Sequence, residues 1–219
     1  MEGRFSNGVL VALTNCKDPA REGEFNKWYS ETHLPDIVST GLFKDAARFE
    51  NVESKPGEAK YLAFYETDAE DLAEARTSLT TLIGGLREAG RSSDLTEMVG
   101  GGIHRRIGSG SSAAKGKPVT GLLLVSTDCS DATKEDEFNR WYNEIHIPDI
   151  LGLGLFHSAY RFENPNPSEV LGKYLAVYET DKDPAEAAAA NSVARDEWER
   201  AGRWSPLLEI KTRLVFKRL

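Results

Sequence analysis

Short apolar runs along the chain alternate with longer segments in which apolar residues recur at helical spacing. Residues 9–13 and 122–125 are apolar runs of the length that buried strands have. An acidic stretch follows the first run, and then Phe25, Trp28 and Tyr29 recur at the spacing of one helix face. Two more strand-like runs, an Ala- and Glu-rich helical segment and a final strand come next, and the second part of the chain repeats this order. The pattern predicts a β-α-β-β-α-β unit in each half.

The two halves share sequence as well as pattern. The segment at 25–37 recurs at 138–150, and the Gly-Leu-Phe at 41–43 recurs at 154–156. Two copies are too few for a solenoid, in which three or more repeats bury each other's faces. We therefore expect two complete small domains.

Each predicted unit has two helices on one face of its sheet and leaves the other face bare. In a chain with two such units, the bare faces are expected to meet. We predict an α+β fold in which two tandem ferredoxin-like βαββαβ domains, at residues 1–107 and 119–219, close into an α/β-barrel. This barrel is a pseudo-dimer within one chain, and the Gly/Ser-rich segment at 108–118 is the predicted linker. Pairing of whole chains into a further homodimer is compatible with this organisation.

One motif occurs in both halves: Trp-Tyr-x-Glu-x-His-(Leu/Ile)-Pro-Asp-Ile, followed by Gly-Leu-Phe and Ala-x-Arg-Phe. It resembles the motif of the EthD-like family in the dimeric α/β-barrel superfamily. The resemblance implies an intramolecular dimeric α/β-barrel, here from a tandem duplication where the family usually carries one copy. The superfamily includes cofactor-free monooxygenases, lactone isomerases, cyclases, dehydratases and heme enzymes, so the resemblance implies small-molecule chemistry without fixing one reaction. The residues that carry the match are Trp28, Glu31, His33, Pro35, Gly41 and Arg48, with Trp141, Glu144, His146, Pro148, Gly154 and Arg161.

Composition and charge narrow the class of protein. The 219 residues are 40% hydrophobic and 28% charged, as in soluble globular proteins. The net charge of -8 argues against nucleic acid and against an anionic membrane surface as partners. No run approaches the roughly 20 apolar residues that span a bilayer, and no signal peptide is visible at the N-terminus. With only two cysteines, which cannot form a secreted disulfide scaffold, the chain is predicted to be cytoplasmic. The resemblance implies a small molecule as its partner.

The candidate catalytic residues are one histidine and one tyrosine in each half. Tyr29 and His33 are four residues apart and so lie on one helix face, and Tyr142 and His146 repeat this spacing. Pro35 predicts that the helix ends or kinks just after His33, where the helix dipole would favour the imidazolium. Such a pair suits general acid–base catalysis near neutral pH. The alternative is a histidine that only packs and caps the helix end.

Six further side chains are candidate substrate-binding residues, each with a structural role as the alternative. For the tryptophans, packing in the core is the favoured interpretation. The arginines lie mid-strand among apolar residues, where a buried guanidinium needs a partner. An ion pair with Glu31, Glu50 or Asp36, or with the matching residues of the second half, is favoured over substrate anchoring. The tyrosines of the third strand either line a cavity or pack beneath the helices. These six are Trp28, Trp141, Arg48, Arg161, Tyr65 and Tyr178.

The sequence indicates neither a metal site nor an organic cofactor. His33, His104, His146 and His157 show no metal-ligand spacing. The glycines at 100–102 lie in a strand context, which they weaken, and lack the Lys-Ser/Thr of a phosphate loop. Heme ligation by one histidine per half is a third possibility that the superfamily implies.

The leading hypothesis is an enzyme of catabolic or secondary metabolism that acts without organic cofactor on an apolar cyclic or aromatic substrate. Proton transfer by a His/Tyr pair suits a lyase, isomerase, dehydratase or cofactor-free monooxygenase. The alternative is a non-catalytic small-molecule-binding or stress-related module with structural histidines. The sequence leaves open which half holds the active pocket.

Overall fold

The computed structural model describes residues 6–108, 114 and 116–219. Each half contains four strands and two helical segments in the predicted order. The first half consists of β1 (Gly8–Cys16), α1 (Glu22–Trp28), a π-helical turn (Tyr29–His33), α2 (Leu34–Ser39), β2 (Asp45–Asn51), β3 (Tyr61–Thr67), α3 (Leu72–Glu88) and β4 (Thr96–Arg106). The second half consists of β5 (Gly121–Cys129), α4 (Glu135–Trp141), a π-helical turn (Tyr142–His146), α5 (Ile147–Gly152), β6 (Ser158–Glu163), β7 (Tyr174–Thr180), α6 (Pro184–Arg200) and β8 (Leu208–Arg218). Short 3₁₀ turns at Pro19–Arg21 and Ala132–Lys134 precede α1 and α4.

The eight strands form one closed antiparallel barrel in the order β1-β3-β2-β8-β5-β7-β6-β4. Two seams join the halves. In one, β2 pairs with β8, and Glu50 lies opposite Lys217. In the other, β4 pairs with β6, and Arg105 lies opposite Glu163. The predicted α+β fold with two ferredoxin-like units closing an intramolecular barrel is confirmed. Most of the predicted linker at 108–118 lies outside the described residues.

Strand alternation divides the core into an interior and two outer layers. On β1, Val9, Val11 and Leu13 point into the barrel and pack against residues of both halves. Leu10 and Ala12 point outward and pack under the helices of the first half. A matching outer layer lies between the second half's sheet and its helices. Each half therefore offers its own space between sheet and helices.

The helix that carries the motif does not end after the histidine. A π-helical turn over Tyr29–His33 leads directly into α2, and the Leu34 N–H bonds to the Tyr29 carbonyl five residues back. Of the two predicted outcomes after His33, an end or a kink, the helix end is wrong, and the departure from α-helical geometry is the π turn that ends at His33. The wider π turn lets the chain pass Pro35, which has no N–H to contribute, and remain helical to Ser39.

Candidate functional site

The π turn gathers three aromatic side chains into one cluster. The Trp28 and His33 rings stack with centroids 4.8 Å apart and planes 24° apart. The Tyr29 and His33 rings pack edge to face, with centroids 4.9 Å apart and planes 81° apart. In the second half, Trp141 and Tyr142 hold His146 in the same way. The motif therefore fixes the imidazole position in both halves.

In the first half this cluster faces a cavity of about 650 Å³. Trp28, Tyr29 and His33 lie in its wall, as does Tyr65 of β3. Four of the predicted site residues are thus brought together. The rest of the lining is mostly apolar and comprises Leu10, Val11, Ala12, Ile37, Leu79, Ile83, Leu86, Met98, Gly101 and Gly102, with Lys17, Arg87, Ser92, Ser93, Asp94 and Thr96 as the polar members.

In the second half, large side chains occupy the corresponding position beside the histidine. The rings of Trp204 and Trp198 lie 5.3 Å and 6.0 Å from that of His146. The Arg195 guanidinium lies over Trp204 at 4.7 Å. Arg213 of β8 donates hydrogen bonds to α6, to the Ala188 carbonyl at 3.0 Å and the Ser192 hydroxyl at 3.1 Å. His146 is only 7% exposed and is enclosed by protein.

The corresponding residues of the first half are smaller. Helices α3 and α6 have equal length, as do β4 and β8, so the halves align residue by residue. Ser92 corresponds to Trp204, Leu86 to Trp198 and Gly101 to Arg213. These three replacements leave the space that the cavity occupies in the first half.

Burial keeps His33 neutral. Its pKa falls from 6.5 to about 4, chiefly because the imidazolium would lose its hydration in these apolar surroundings. The negative charge of Asp36 partly opposes this decrease, and the positive charge of Arg48 adds to it. Burial lowers the pKa of His146 to about 4 as well. The prediction that the helix dipole would favour a charged His33 is therefore wrong, because the helix continues and desolvation dominates. Within the described chain, the His33 ring makes no hydrogen bond, so its nitrogens are available to a ligand.

The tyrosines form a hydroxyl pair beside the histidine. The Tyr65 hydroxyl lies 3.5 Å from that of Tyr29, at the outer limit of a hydrogen bond, and the Tyr178–Tyr142 pair is closer at 3.2 Å. Burial raises the pKa of Tyr29 and of Tyr65, so both remain neutral donors. Since Tyr65 donates toward Tyr29, the Tyr29 proton is available for a ligand oxygen.

Arg48 lies behind Tyr29, outside the cavity lining. Its guanidinium is 4.4 Å from the centre of the Tyr29 ring and donates to the Asn26 carbonyl, the Asn26 amide oxygen and the Ser30 hydroxyl. Arg48 therefore holds Tyr29 against the sheet rather than reaching the cavity. In the second half, Arg161 lies 4.2 Å from the centre of the Tyr142 ring.

The ion pair predicted for Arg48 is wrong. Asp36 instead binds Arg91 through two hydrogen bonds of 2.7 Å and 2.6 Å. The two terminal nitrogens of Arg48 donate to Asn26 and Ser30 rather than to a carboxylate, and its buried Nε has no hydrogen-bond partner among the described residues. In the part of the chain that the structure describes, no group of three or more His, Cys, Asp or Glu side chains is arranged to hold a metal ion. There is also no helix in those residues with the length and hydropathy to span a bilayer.

Sequence reasoning missed the residues that open the cavity. Ser92 and Gly101 belong to none of the motifs in the sequence, and the glycine run at 100–102 indicates by itself only a weakened strand. A Cβ at Gly101 would lie 2.5 Å from the Val11 carbonyl oxygen, so the backbones approach closely there. The available signal is the contrast between the halves, where a tryptophan and an arginine replace these two small residues.

Comparison with known proteins gives short sequence matches. The family described as a domain of unknown function (DUF4286) matches residues 12–75. Core atranone cluster (CAC) protein 1 of Stachybotrys chlorohalonatus (strain IBT 40285) is 43% identical over 68 residues. That match covers 31% of this chain and 28% of the relative, so the chain corresponds to less than a third of that protein.

Solved structures match over nearly the whole chain. An anthrone oxidase-like protein has a TM-score of 0.61 at 11% identity, and the match covers 100% of this chain and 94% of that protein. A heme-binding protein from Thermus thermophilus has a TM-score of 0.57 at 11% identity, covering 98% and 91%. A mutant chlorite dismutase from Candidatus Nitrospira defluvii has a TM-score of 0.57 at 9% identity, covering 99% and 93%. At such identities the likeness shows the fold alone, an α/β-barrel built from two ferredoxin-like units.

Proposed function

We propose that the cavity of the first half is the active site of a small-molecule enzyme, in which His33 accepts a proton from an apolar cyclic or aromatic substrate without an organic cofactor. The observation that carries this proposal is the His33 ring. It is neutral, has no hydrogen-bond partner in the described chain, and lies in the wall of a cavity of about 650 Å³.

The size and lining of the cavity support a small apolar ligand. Ligand pockets are typically about 300–1,000 Å³ and mostly apolar, with a few polar groups that orient the ligand. Here α3 contributes Leu79, Ile83 and Leu86, and Trp28 offers an aromatic surface beside His33. A flat ring system would bury most of its surface against these side chains.

The chemistry follows from the neutral imidazole and the neutral phenol. An unprotonated His33 takes a proton from an acidic C–H or O–H of the substrate, and the electron pair stays on the substrate as an enolate or phenolate. Tyr29 donates a hydrogen bond to the oxygen where that charge develops, and Tyr65 donates to Tyr29 in turn. Return of the proton to another atom gives isomerisation, and its delivery to a leaving hydroxide gives dehydration. Lyase and cofactor-free monooxygenase reactions start from the same abstraction.

The second half has a structural role in this proposal, since Trp198, Trp204 and Arg213 occupy the matching space. The repeated motif and element order support a tandem duplication of an EthD-like unit. We place its copies at 1–107 and 119–219, with a linker at 108–118. The relative named for an atranone cluster supports the secondary-metabolism side of the proposal.

Replacing each histidine in turn tests the proposal. We expect aromatic, phenolic, lactone or quinone compounds to raise the melting temperature of the wild type, since a ligand at 100 times its Kd adds about 2.7 kcal/mol of stability. His33→Ala should fold and lose both this shift and turnover. The matched variant His146→Ala should keep the shift but lose roughly 2–4 kcal/mol of stability, because it leaves a void among packed rings. Equal behaviour of the two variants would contradict the proposal.

Ser92→Trp is a second test that leaves His33 intact. It introduces the residue found at the matching position of the second half, where Trp204 packs 5.3 Å from the histidine ring. We expect the variant to fold and to bind none of the compounds that shift the wild type. A Ser92→Trp protein that still binds them would place the ligand elsewhere. If the wild type binds a ligand that it turns over no faster than His33→Gln does, the alternative of a non-catalytic binding module is favoured.

A heme is the second candidate occupant, because the donor set of the cavity fits one. His33 would supply a nitrogen ligand to the iron, and Lys17 and Arg87 in the lining would pair with the propionates. A bound heme would supply redox chemistry with a peroxide-type oxidant. A Soret band in the purified protein that His33→Ala removes would favour this candidate over the cofactor-free enzyme.

A further inference from the structure

Two exposed cations border the cavity of the first half. Lys17 follows β1 directly, and Arg87 lies in the last turn of α3. Both side chains contribute to the cavity lining, and neither forms an ion pair with a described residue. Other cations of this acidic chain do form such pairs, as Lys60 does with Glu22 and Arg91 with Asp36.

The second half has no cation at either corresponding position. Ser130 corresponds to Lys17 and Glu199 to Arg87, and Glu199 forms an ion pair with Arg195. The two positive charges therefore occur in the half whose cavity is open and are absent from the half whose matching space is filled. The contrast ties them to the cavity rather than to the fold, which both halves share.

The charges that face the cavity are Lys17, Arg87 and Asp94, because His33 is neutral. Their sum is positive although the whole chain carries -8. The apolar residues of α3 line the same space, so the cavity combines an apolar wall with a cationic rim. This is the complement of a molecule with an apolar body and one acidic substituent.

We infer that the cavity binds an apolar ring system that carries a carboxylate or a similar acidic group, with the anion held between Lys17 and Arg87 and the ring beside Trp28 and His33. The inference rests on the proposed function and names its substrate class. An anion bound there would also stabilise protonated His33, so the imidazole becomes a stronger base when substrate is present.

A pair of ligands that differ only in charge tests the inference. We would titrate the full chain with 2-naphthoate and with its neutral counterpart 2-naphthamide, followed by tryptophan fluorescence. We expect the wild type to bind naphthoate about tenfold more tightly than naphthamide, which is the affinity that two exposed ion pairs contribute. This preference should shrink at high salt, because salt screens exposed charges. The double variant Lys17→Ser/Arg87→Glu carries the residues of the second half. It should lose the preference while its Kd for naphthamide changes less than about twofold.

The control variant Lys55→Ser removes an exposed charge in the loop between β2 and β3 and should leave both affinities unchanged. Equal affinity of the wild type for the two ligands, or a preference that survives the double variant, would overturn the inference. If naphthamide alone binds and Ser92→Trp abolishes its binding, the cavity proposal stands and the acidic substrate fails. If neither ligand binds, both fail. Hemin is titrated in parallel, and hemin that displaces naphthoate and binds more tightly would assign the anion to a heme's propionates instead.

Discussion

At the level of single residues, one motif gives two histidines with different surroundings. His33 and His146 stack on their tryptophans at the same 4.8 Å, and burial lowers the pKa of each to about 4. His146 is enclosed by further rings, whereas His33 borders open space. The same motif therefore encloses one imidazole among packed rings and leaves the other in the wall of a cavity.

A third histidine, His104, is fully buried on β4, and it makes stability depend on pH. Its Nδ1 bonds to the Gly102 carbonyl at 2.9 Å, its Nε2 has no partner, and burial lowers its pKa to about 4. Between pH 6.5 and about 4, the unfolded chain binds a proton here that the folded chain does not. The free energy of unfolding therefore falls as the pH is lowered through this window.

The variant His104→Phe removes this titration and introduces the residue found at the matching position, Phe216. Between pH 7 and pH 5, we expect the free energy of unfolding of the variant to fall by about 2 kcal/mol less than that of the wild type. This is the contribution of one histidine whose pKa is 6.5 in the unfolded chain and about 4 in the folded chain. Urea unfolding at the two pH values measures the difference. His33 and His146 titrate in the same window in both proteins, so a pH dependence identical to that of the wild type would show that His104 does not contribute to it.

At the level of elements, the helix over the open cavity is intrinsically weaker than its counterpart. Helix α3 contains Gly84 and Gly85 in its interior, where glycine costs about 1 kcal/mol relative to alanine. Its three threonines, Thr77, Thr80 and Thr81, donate side-chain hydrogen bonds to carbonyls four residues back, which slightly destabilises a helix. In α6, alanines and charged residues occupy much of the sequence. We expect α3 to open locally more often than α6 does, which would give the ligand of the proposed site a path to His33.

Amide hydrogen exchange tests this difference between the helices. We expect amides in α3 to exchange faster than those in α6. The double variant Gly84→Ala/Gly85→Ala should slow exchange in α3, because each alanine stabilises the helix by about 1 kcal/mol, and leave α6 unchanged. Apart from the adjacent backbone of α3 itself, no described heavy atom lies within 4 Å of a Cβ built at either glycine, so the variant adds no clash. Equal protection of both helices in the wild type would refute the idea.

At the level of the whole molecule, two pseudo-equivalent sheets share one interior. Phe64 of the first half meets Phe162 of the second edge to face, with centroids 6.2 Å apart, inside a cluster drawn from both sheets. The seams add backbone pairing at β2–β8 and β4–β6. Because neither sheet covers its inner face alone, each half depends on the other for burial of that face.

Cleavage between the halves tests this dependence. A protease site inserted between Gly110 and Ser111, within the predicted linker, should be cut without separating the fragments. We expect the cut chain to elute as one particle and to unfold in a single transition, because the shared interior holds the halves together. The uncut insertion variant is the control. Fragments that elute apart under native conditions would show that covalent linkage holds the barrel closed.

The sequence by itself determined the element order, the repeat and the placing of Trp28, Tyr29 and His33 on one helix face. Periodicity is a local property, and two copies of one pattern exclude most alternative folds. Only the tertiary structure decided that the helix continues past Pro35 and that the histidines are neutral. It also decided that His33 lies in the wall of a cavity of about 650 Å³, whereas packed rings surround His146. Those outcomes depend on which side chains from distant segments pack around the ring: Ser92 and Gly101 in one half, Trp204 and Arg213 in the other. Desolvation and free volume are set by that packing, and no local pattern along the chain encodes them.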